Sequence, residues 1–311
     1  MSNKTQVKVS APGKIILSGE HAVVYGYPAI LCAVDRRLQI ELRGKKPQTK
    51  KKAFDYKKSG LKNIPDLLKT KFGSDFELKI DSEIPIGCGM GSSAAFSVAV
   101  IAGLTNFVGE PWDLAKINGR AYLLEKWHHG NPSGADNTIS TYGGFLWFRK
   151  EAEGLKIVSS IQIKRRLPSL FLINSGRPKE TTKEMVSYVH DYYLKHRTKT
   201  IKIFLEIEKA TRTLLRYLVG EEEVSFREWV TTSEMLLEEL GVVSDSTRQL
   251  IRKIEKIGGA AKISGAGGKK AGSGIIIAFS PEKEKLLDFA KKEGLDLFSV
   301  KLGEEGARVE K

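Results

Sequence analysis

The string Gly87-Cys-Gly-Met-Gly-Ser-Ser93 constrains this chain more than any other feature. An alternating strand at 76–81 precedes it, and an apolar stretch from Ser92 to about Val108 follows, rich in Ala94, Ala95, Ala99 and Ala102. That stretch predicts a buried helix allowing close backbone approach. Glycines at every second position let backbone N–H groups converge on an anion, and the helix N-terminus adds a favourable dipole. The hydroxyls of Ser92 and Ser93 can cap the helix, bind phosphate oxygens or ligate Mg²⁺. A glycine turn with a serine N-cap accounts for the string equally well when it is taken alone. The spacing excludes some alternatives. No G-x-x-x-x-G-K-[ST] run occurs, Gly87, Gly89 and Gly91 miss the dinucleotide pattern, and the protein-kinase strings H-R-D and D-F-G are absent.

Two further segments carry chemistry. Lys14 follows Ala11-Pro12-Gly13, read as a turn, and Glu20 and His21 come shortly after it. Such a lysine can present a fixed charge, although a surface role is commoner for any single lysine. Asp136 lies in GNPSGADN, a polar, glycine-rich stretch read as a functional loop between helix and strand. It could accept a substrate proton, or simply close an Asx-turn. Glu125, on the helix before it, offers with Ser93 the hard oxygen ligands that suit Mg²⁺. Zinc is a poor fit, because His128 and His129 are adjacent and point apart, and Cys32 and Cys88 are distant in sequence.

A length of 311 residues is compatible with about two domains. With 41% hydrophobic and 28% charged residues the chain reads as globular, which disfavours disorder, collagen and coiled coil. The excess of 51 basic over 37 acidic residues gives a net charge of +14. That suits an anionic partner: nucleic acid, an acidic membrane or a phosphorylated small molecule. Two unrelated cysteines, no apolar leader and no apolar run of spanning length point to a reducing, cytoplasmic setting.

Strands are expected at 7–10, 29–34, 38–42, 170–174, 275–279 and 297–302. Helices are expected from about 113 to 128, through 180–258 with breaks near His196, Gly220 and Gly241, and at 281–293. The change of character near residue 165 divides the chain into 1–165 and 166–311. The basic run Lys45–Lys58 lacks the interleaved aromatics of single-strand binders and is read as a solvated loop.

PGKIILSGEHAVVYG, PIGCGMGSSAA and KISGAGG, in this order, resemble the three signatures of the GHMP kinase superfamily, and the resemblance spans essentially the whole chain. GEHAVVYGYPA and HGNPSGADNTISTYGG narrow it to the mevalonate-phosphorylating branch. The resemblance implies an α+β, two-domain fold, with a mixed N-terminal sheet and a helix-rich C-terminal α+β half around an intervening cleft. It implies an ATP-dependent enzyme that phosphorylates the C5 hydroxyl of mevalonate, with Mg²⁺, no nucleic-acid or membrane partner, and room for a homodimer. On it Asp136 and Lys14 are catalytic, and Ser93 and Glu125 ligate the metal. Gly87, Gly89, Met90, Gly91, Ser92, Ser93, Gly265, Ala266 and Gly267 hold the nucleotide phosphates, while Glu20, His21 and Thr182 line the substrate pocket. Thr182 is placed to within one residue, since Thr181 adjoins it. One departure stands out: KISGAGG continues as Lys269-Lys270, read as a solvent-facing turn, which leaves open how closely this loop packs on Gly87–Ser93. The alternatives are a sibling kinase acting on phosphomevalonate, galactose or homoserine and, remotely, a nucleic-acid-binding protein.

Overall fold

The computed structural model describes residues 6–44, 76–129 and 132–311. The basic run 45–58 lies outside the described residues. β1 (Gln6–Ser18) pairs antiparallel along nearly its full length with β2 (Ala29–Gly44). Ala11-Pro12-Gly13 does not turn the chain. It lies within β1, where the register shifts between Pro12 and Gly13, so a proline lacking an N–H is accommodated at an irregularity in the ladder.

β3 (Phe76–Ser82) pairs with the second half of β2, Leu42 facing Leu78. α1 (Ser92–Phe107) is apolar on almost all sides and packs on β1 and β2. Its Gly103 permits that approach, since a Cβ there would stand 2.6 Å from Ile40 Cδ1. α2 (Leu114–His129) and α3 (Ala135–Tyr142) pack on α1. β4 (Phe145–Ala152) then pairs with the first half of β2, and β5 (Leu155–Ser160) with β4. α3 occupies the segment expected to be a loop.

The second half begins at β6 (Phe171–Asn174). Four helices follow: α4 (Thr182–Lys195), α5 (Arg197–Leu218), α6 (Phe226–Glu239) and α7 (Asp245–Lys256). Their breaks fall at the expected places. β7 (Ala260–Ile263), β8 (Ile275–Phe279), α8 (Lys283–Glu293) and β9 (Leu297–Ser299) complete a four-stranded antiparallel sheet in the order β7-β8-β6-β9. β9 stops short of the expected 302 because Leu302 leaves the sheet to bridge Val34 of β2. β10 (Arg308–Val309) then pairs with β1, making the first sheet six-stranded.

Every strand pairing described in the first sheet is antiparallel, where a mixed sheet was implied. The consecutive strand pairs β1–β2 and β4–β5 account for this, since neither is joined by a parallel crossover. The largest hydrophobic cluster joins the halves, combining Val9, Ile40 and Leu104 with Leu172, Leu214 and Ile277, and a second joins Ala22 to Met185 and Phe204. No helix among the described residues is long and apolar enough to cross a membrane.

Candidate active site

Four segments converge on Lys14. Its backbone N–H donates to Met90 O at 2.9 Å, tying β1 to the glycine string. Its side chain is buried to 3% exposure, and Nζ lies 3.2 Å from Asp136 Oδ1, whose carboxylate is 44% exposed. Asp136 stands in the first turn of α3, opened by Gly134 at φ 85°. Gly91 precedes α1 at φ 74°, and a Cβ on it would stand 2.8 Å from Lys14 Cγ. Glycine is required there on both counts. The lysine stem therefore runs over Gly91 to the mouth of the string and meets a carboxylate facing solvent.

The third glycine segment packs directly on the first. Ile275 N–H donates to Cys88 O at 2.9 Å, and a Cβ on Gly274 would stand 2.7 Å from that carbonyl. Gly265 faces Gly89, and a Cβ on it would stand 4.0 Å from Lys14 Nζ. Gly267 sits against Val242 O, with no room for a side chain. Ser264 braces the arrangement, its Oγ accepting the Ile16 N–H at 2.9 Å. The Lys269-Lys270 departure does not loosen this packing. Both lysines are exposed, Lys269 Nζ lies 3.8 Å from the centre of the Tyr188 ring, and both backbone N–H groups reach Glu180 Oε2.

Ser93, in the first turn of α1, donates to Glu125 Oε1 at 2.9 Å, and Ser97 donates to the same oxygen at 2.7 Å. Glu125 is buried. Ser97 was not among the expected residues, although its place one helical turn after Ser93 puts both hydroxyls on one face. This corner offers a hydroxyl and a carboxylate. Hard oxygens of that kind fit Mg²⁺ when phosphate oxygens and water complete the shell. No group of three His, Cys, Asp or Glu able to hold a metal occurs among the described residues.

Glu20 and His21 are both buried. The Glu20 carboxylate pairs with the ammonium of Lys262, a fully buried side chain on β7 that also donates to Ile263 O at 2.8 Å. Glu20 thus points into the protein, toward Lys262. Next to it Glu234 Oε2 accepts the Ile263 N–H at 2.8 Å, while Oε1 and the hydroxyl of Ser233 lack partners among the described residues. Burial pushes the Glu234 carboxyl up to about 8. Neither Lys262 nor Glu234 was singled out in sequence, though a lysine inside the apolar strand AAKI was a legible anomaly.

His21 adopts φ 58°, and its Nε2 lies 3.0 Å from Ala266 O. Burial lowers its pKa to about 4, so the ring is neutral near pH 7. Because a carbonyl only accepts, Nε2 carries the proton and Nδ1 is left as an acceptor. Thr182 is the exposed first residue of α4, and Thr181 caps that helix through a reciprocal bond with Glu184.

A dense glycine cradle, a lysine–aspartate pair at its mouth and a serine–glutamate corner beside it have the chemistry that a small-molecule phosphotransferase asks for. The family profile of the GHMP kinases N terminal domain matches residues 59–144. The mevalonate kinase of Archaeoglobus fulgidus is 34% identical over 97% of this chain and 99% of that one. The crystal structure of the Methanococcus jannaschii mevalonate kinase superposes with a TM-score of 0.75 at 26% identity, over the full length of both chains. That of the L. major mevalonate kinase in complex with R-mevalonate gives a TM-score of 0.81 at 21% identity, over 97% of this chain and 98% of that one. The chain belongs to the GHMP kinases and, within them, to the mevalonate kinase family.

Proposed function

We propose that this chain transfers the γ-phosphoryl group of ATP to the C5 hydroxyl of mevalonate. The observation that carries the reading is the Lys14–Asp136 pair at 3.2 Å, set between two packed glycine segments. Phosphoryl transfer asks mainly for positioning and charge neutralisation. The Gly87–Ser93 backbone, with Gly265, Ala266 and Gly267, supplies phosphate-directed amides. Asp136 receives the proton of the acceptor hydroxyl, and Lys14 holds that oxygen as charge develops on it. Ser93 and Glu125 would hold Mg²⁺, which neutralises phosphate charge when bound.

His21 offers Nδ1 as an acceptor, which suits a substrate hydroxyl better than a carboxylate. Glu20, locked to Lys262, acts by positioning the His21 segment rather than by touching the acceptor. Thr182 stays in the proposal as a substrate-side hydroxyl, Thr181 being committed to its helix cap. The domain division near residue 165 fits the change from the first sheet to the helical half, with the tail at β10 belonging to the first.

The test is ADP release with mevalonate, phosphomevalonate, galactose and homoserine as acceptors. Turnover is expected with mevalonate. Turnover with phosphomevalonate and not mevalonate would overturn the acceptor and leave the phosphotransferase class standing.

A further inference from the structure

Arg177 stands on the segment between β6 and α4, and the backbone around it is pinned. Gly176 N–H donates to Asn174 Oδ1 at 3.0 Å, and Gly274 N–H donates to Gly176 O at 3.1 Å. The Ser175 hydroxyl donates to Gly274 O at 2.8 Å, and Pro178 forms a bridge with Ala271. The same strand end thereby fastens both this segment and the third glycine segment. The guanidinium itself makes no hydrogen bond or ion pair with any described residue, unlike Arg165, Arg212 and Arg252, each of which meets a carboxylate.

What Arg177 does meet is the glycine string. A Cβ on Gly87 would stand 3.0 Å from Arg177 Nε and 3.3 Å from Cζ, and Gly87 sits at φ 75°. The guanidinium occupies the space that any side chain at this position would fill. Lys14 stands at the Gly91 end of the string and Arg177 at the Gly87 end, so two cations bracket the same run of amides. Lys14 faces Asp136 and hence the acceptor. Arg177 lies at the other end, away from that pair.

We propose that Arg177 is a further nucleotide-binding residue, its guanidinium taking oxygens of the phosphate chain held by the Gly87–Ser93 loop. The assignment rests on the reading of that loop as phosphate-binding. A planar guanidinium can donate two parallel bonds to a phosphate, a geometry a lysine cannot reproduce. Its backbone neighbours are fixed, while the exposed head, unpaired among the described residues, is free to take the phosphate chain and is ordered by it. It acts on the nucleotide and not on the acceptor.

The experiment is equilibrium titration of the wild type, Arg177→Ala and Arg177→Lys with a non-hydrolysable ATP analogue and with adenosine. Thermal melting serves as the folding control. Arg177→Ala is expected to weaken the analogue by about tenfold or more, as loss of a charge-assisted contact does, while adenosine changes by less than about twofold. Arg177→Lys should recover part of the loss. In turnover, KM for ATP should rise and KM for mevalonate should hold. Unchanged analogue binding, or equal weakening of analogue and adenosine, would overturn the assignment of Arg177 alone. A wild type that does not bind the analogue would overturn the phosphate-loop reading with it.

Discussion

Lys14 and Asp136 divide the work of burial between them, the cation inside and the carboxylate at the surface. Burial of the ammonium is offset by its partner, while Asp136 stays accessible to a substrate hydroxyl. A few residues away the opposite arrangement occurs. Glu20, Lys262 and Glu234 are all buried, the cation pairing with Glu20 and acting on Glu234 only through its field. Glu234 is faced by Lys262, Glu20 and Glu238 and by the Ile263 N–H, and desolvation outweighs the favourable contacts, leaving its pKa near 8 against an ordinary 4.5. Between those values the native state holds a proton that the unfolded chain has given up, so this group lowers stability as pH rises from about 4.5 to about 8. His21 works the other way, lowering stability as pH falls from 6.5 to about 4. Only Glu234 contributes a slope between 6.5 and 8 in this pair. Glu234→Gln is expected to flatten the decline of thermal melting temperature across pH 6.5–8. A decline of unchanged slope would show that another group carries it.

At the scale of the element, α3 separates what the sequence disclosed from what it concealed. ADNTISTY has no apolar stripe, and Gly and Pro precede it, so it reads as a loop. It is helical with a largely polar buried face, most of whose groups find partners among the described residues, the Ser140 hydroxyl excepted. The Thr138 hydroxyl donates to Gly134 O, the Thr141 hydroxyl to Asn137 O, and the Asn137 amide to Asn118 Oδ1. Periodicity of hydrophobic residues cannot register a helix buried through hydrogen bonds. The Pro12–Gly13 irregularity was hidden for a related reason, since a turn and a bulge call for the same residues. The string before α1, by contrast, was legible in full, because positive-φ glycines at alternate positions leave few other conformations. Lys14, Asp136, Ser93 and Glu125 were legible through the motifs that hold them. Lys262 showed only as a lone lysine inside the apolar strand AAKI and Arg177 lay in no motif, and the fold alone brings the one to Glu20 and the other to Gly87. Ser97 lies on α1 one turn beyond Ser93, and Ser97→Ala removes a hydroxyl that donates to Glu125. Half-saturation of turnover by Mg²⁺ should then require about tenfold more metal, the usual cost of losing an orienting partner. An unaltered Mg²⁺ dependence would remove Ser97 from the metal corner.

Across the whole molecule, the site exists only because distant parts of the chain close on one another. β1 brings Lys14, α3 brings Asp136, and the turn between β7 and β8 brings Gly265. The tail returns as β10 to pair with β1, and Arg37 of β2 holds the approach to it by donating to Glu305 O at 2.8 Å. A core cluster runs through both halves, so displacement of either would disturb the packing of Gly265 and Gly274 on the Gly87–Ser93 string. The net charge of +14 is spread far wider than this site, and most described cations face solvent or pair with surface carboxylates. The charge favours the approach of anions, and on the proposed reading the glycine segments are where their phosphates are held. The central claim is that this closed arrangement lets Asp136 take a proton from mevalonate while ATP is held elsewhere. It is tested most directly by following 5-phosphomevalonate formation from ATP and mevalonate by ³¹P NMR, for the wild type and Asp136→Asn, with ATP-analogue binding measured alongside. The wild type should form the product, and Asp136→Asn should lose at least about a hundredfold in rate while binding the analogue normally. A variant that retains turnover within about tenfold would contradict the account, because the proton would then be handled elsewhere.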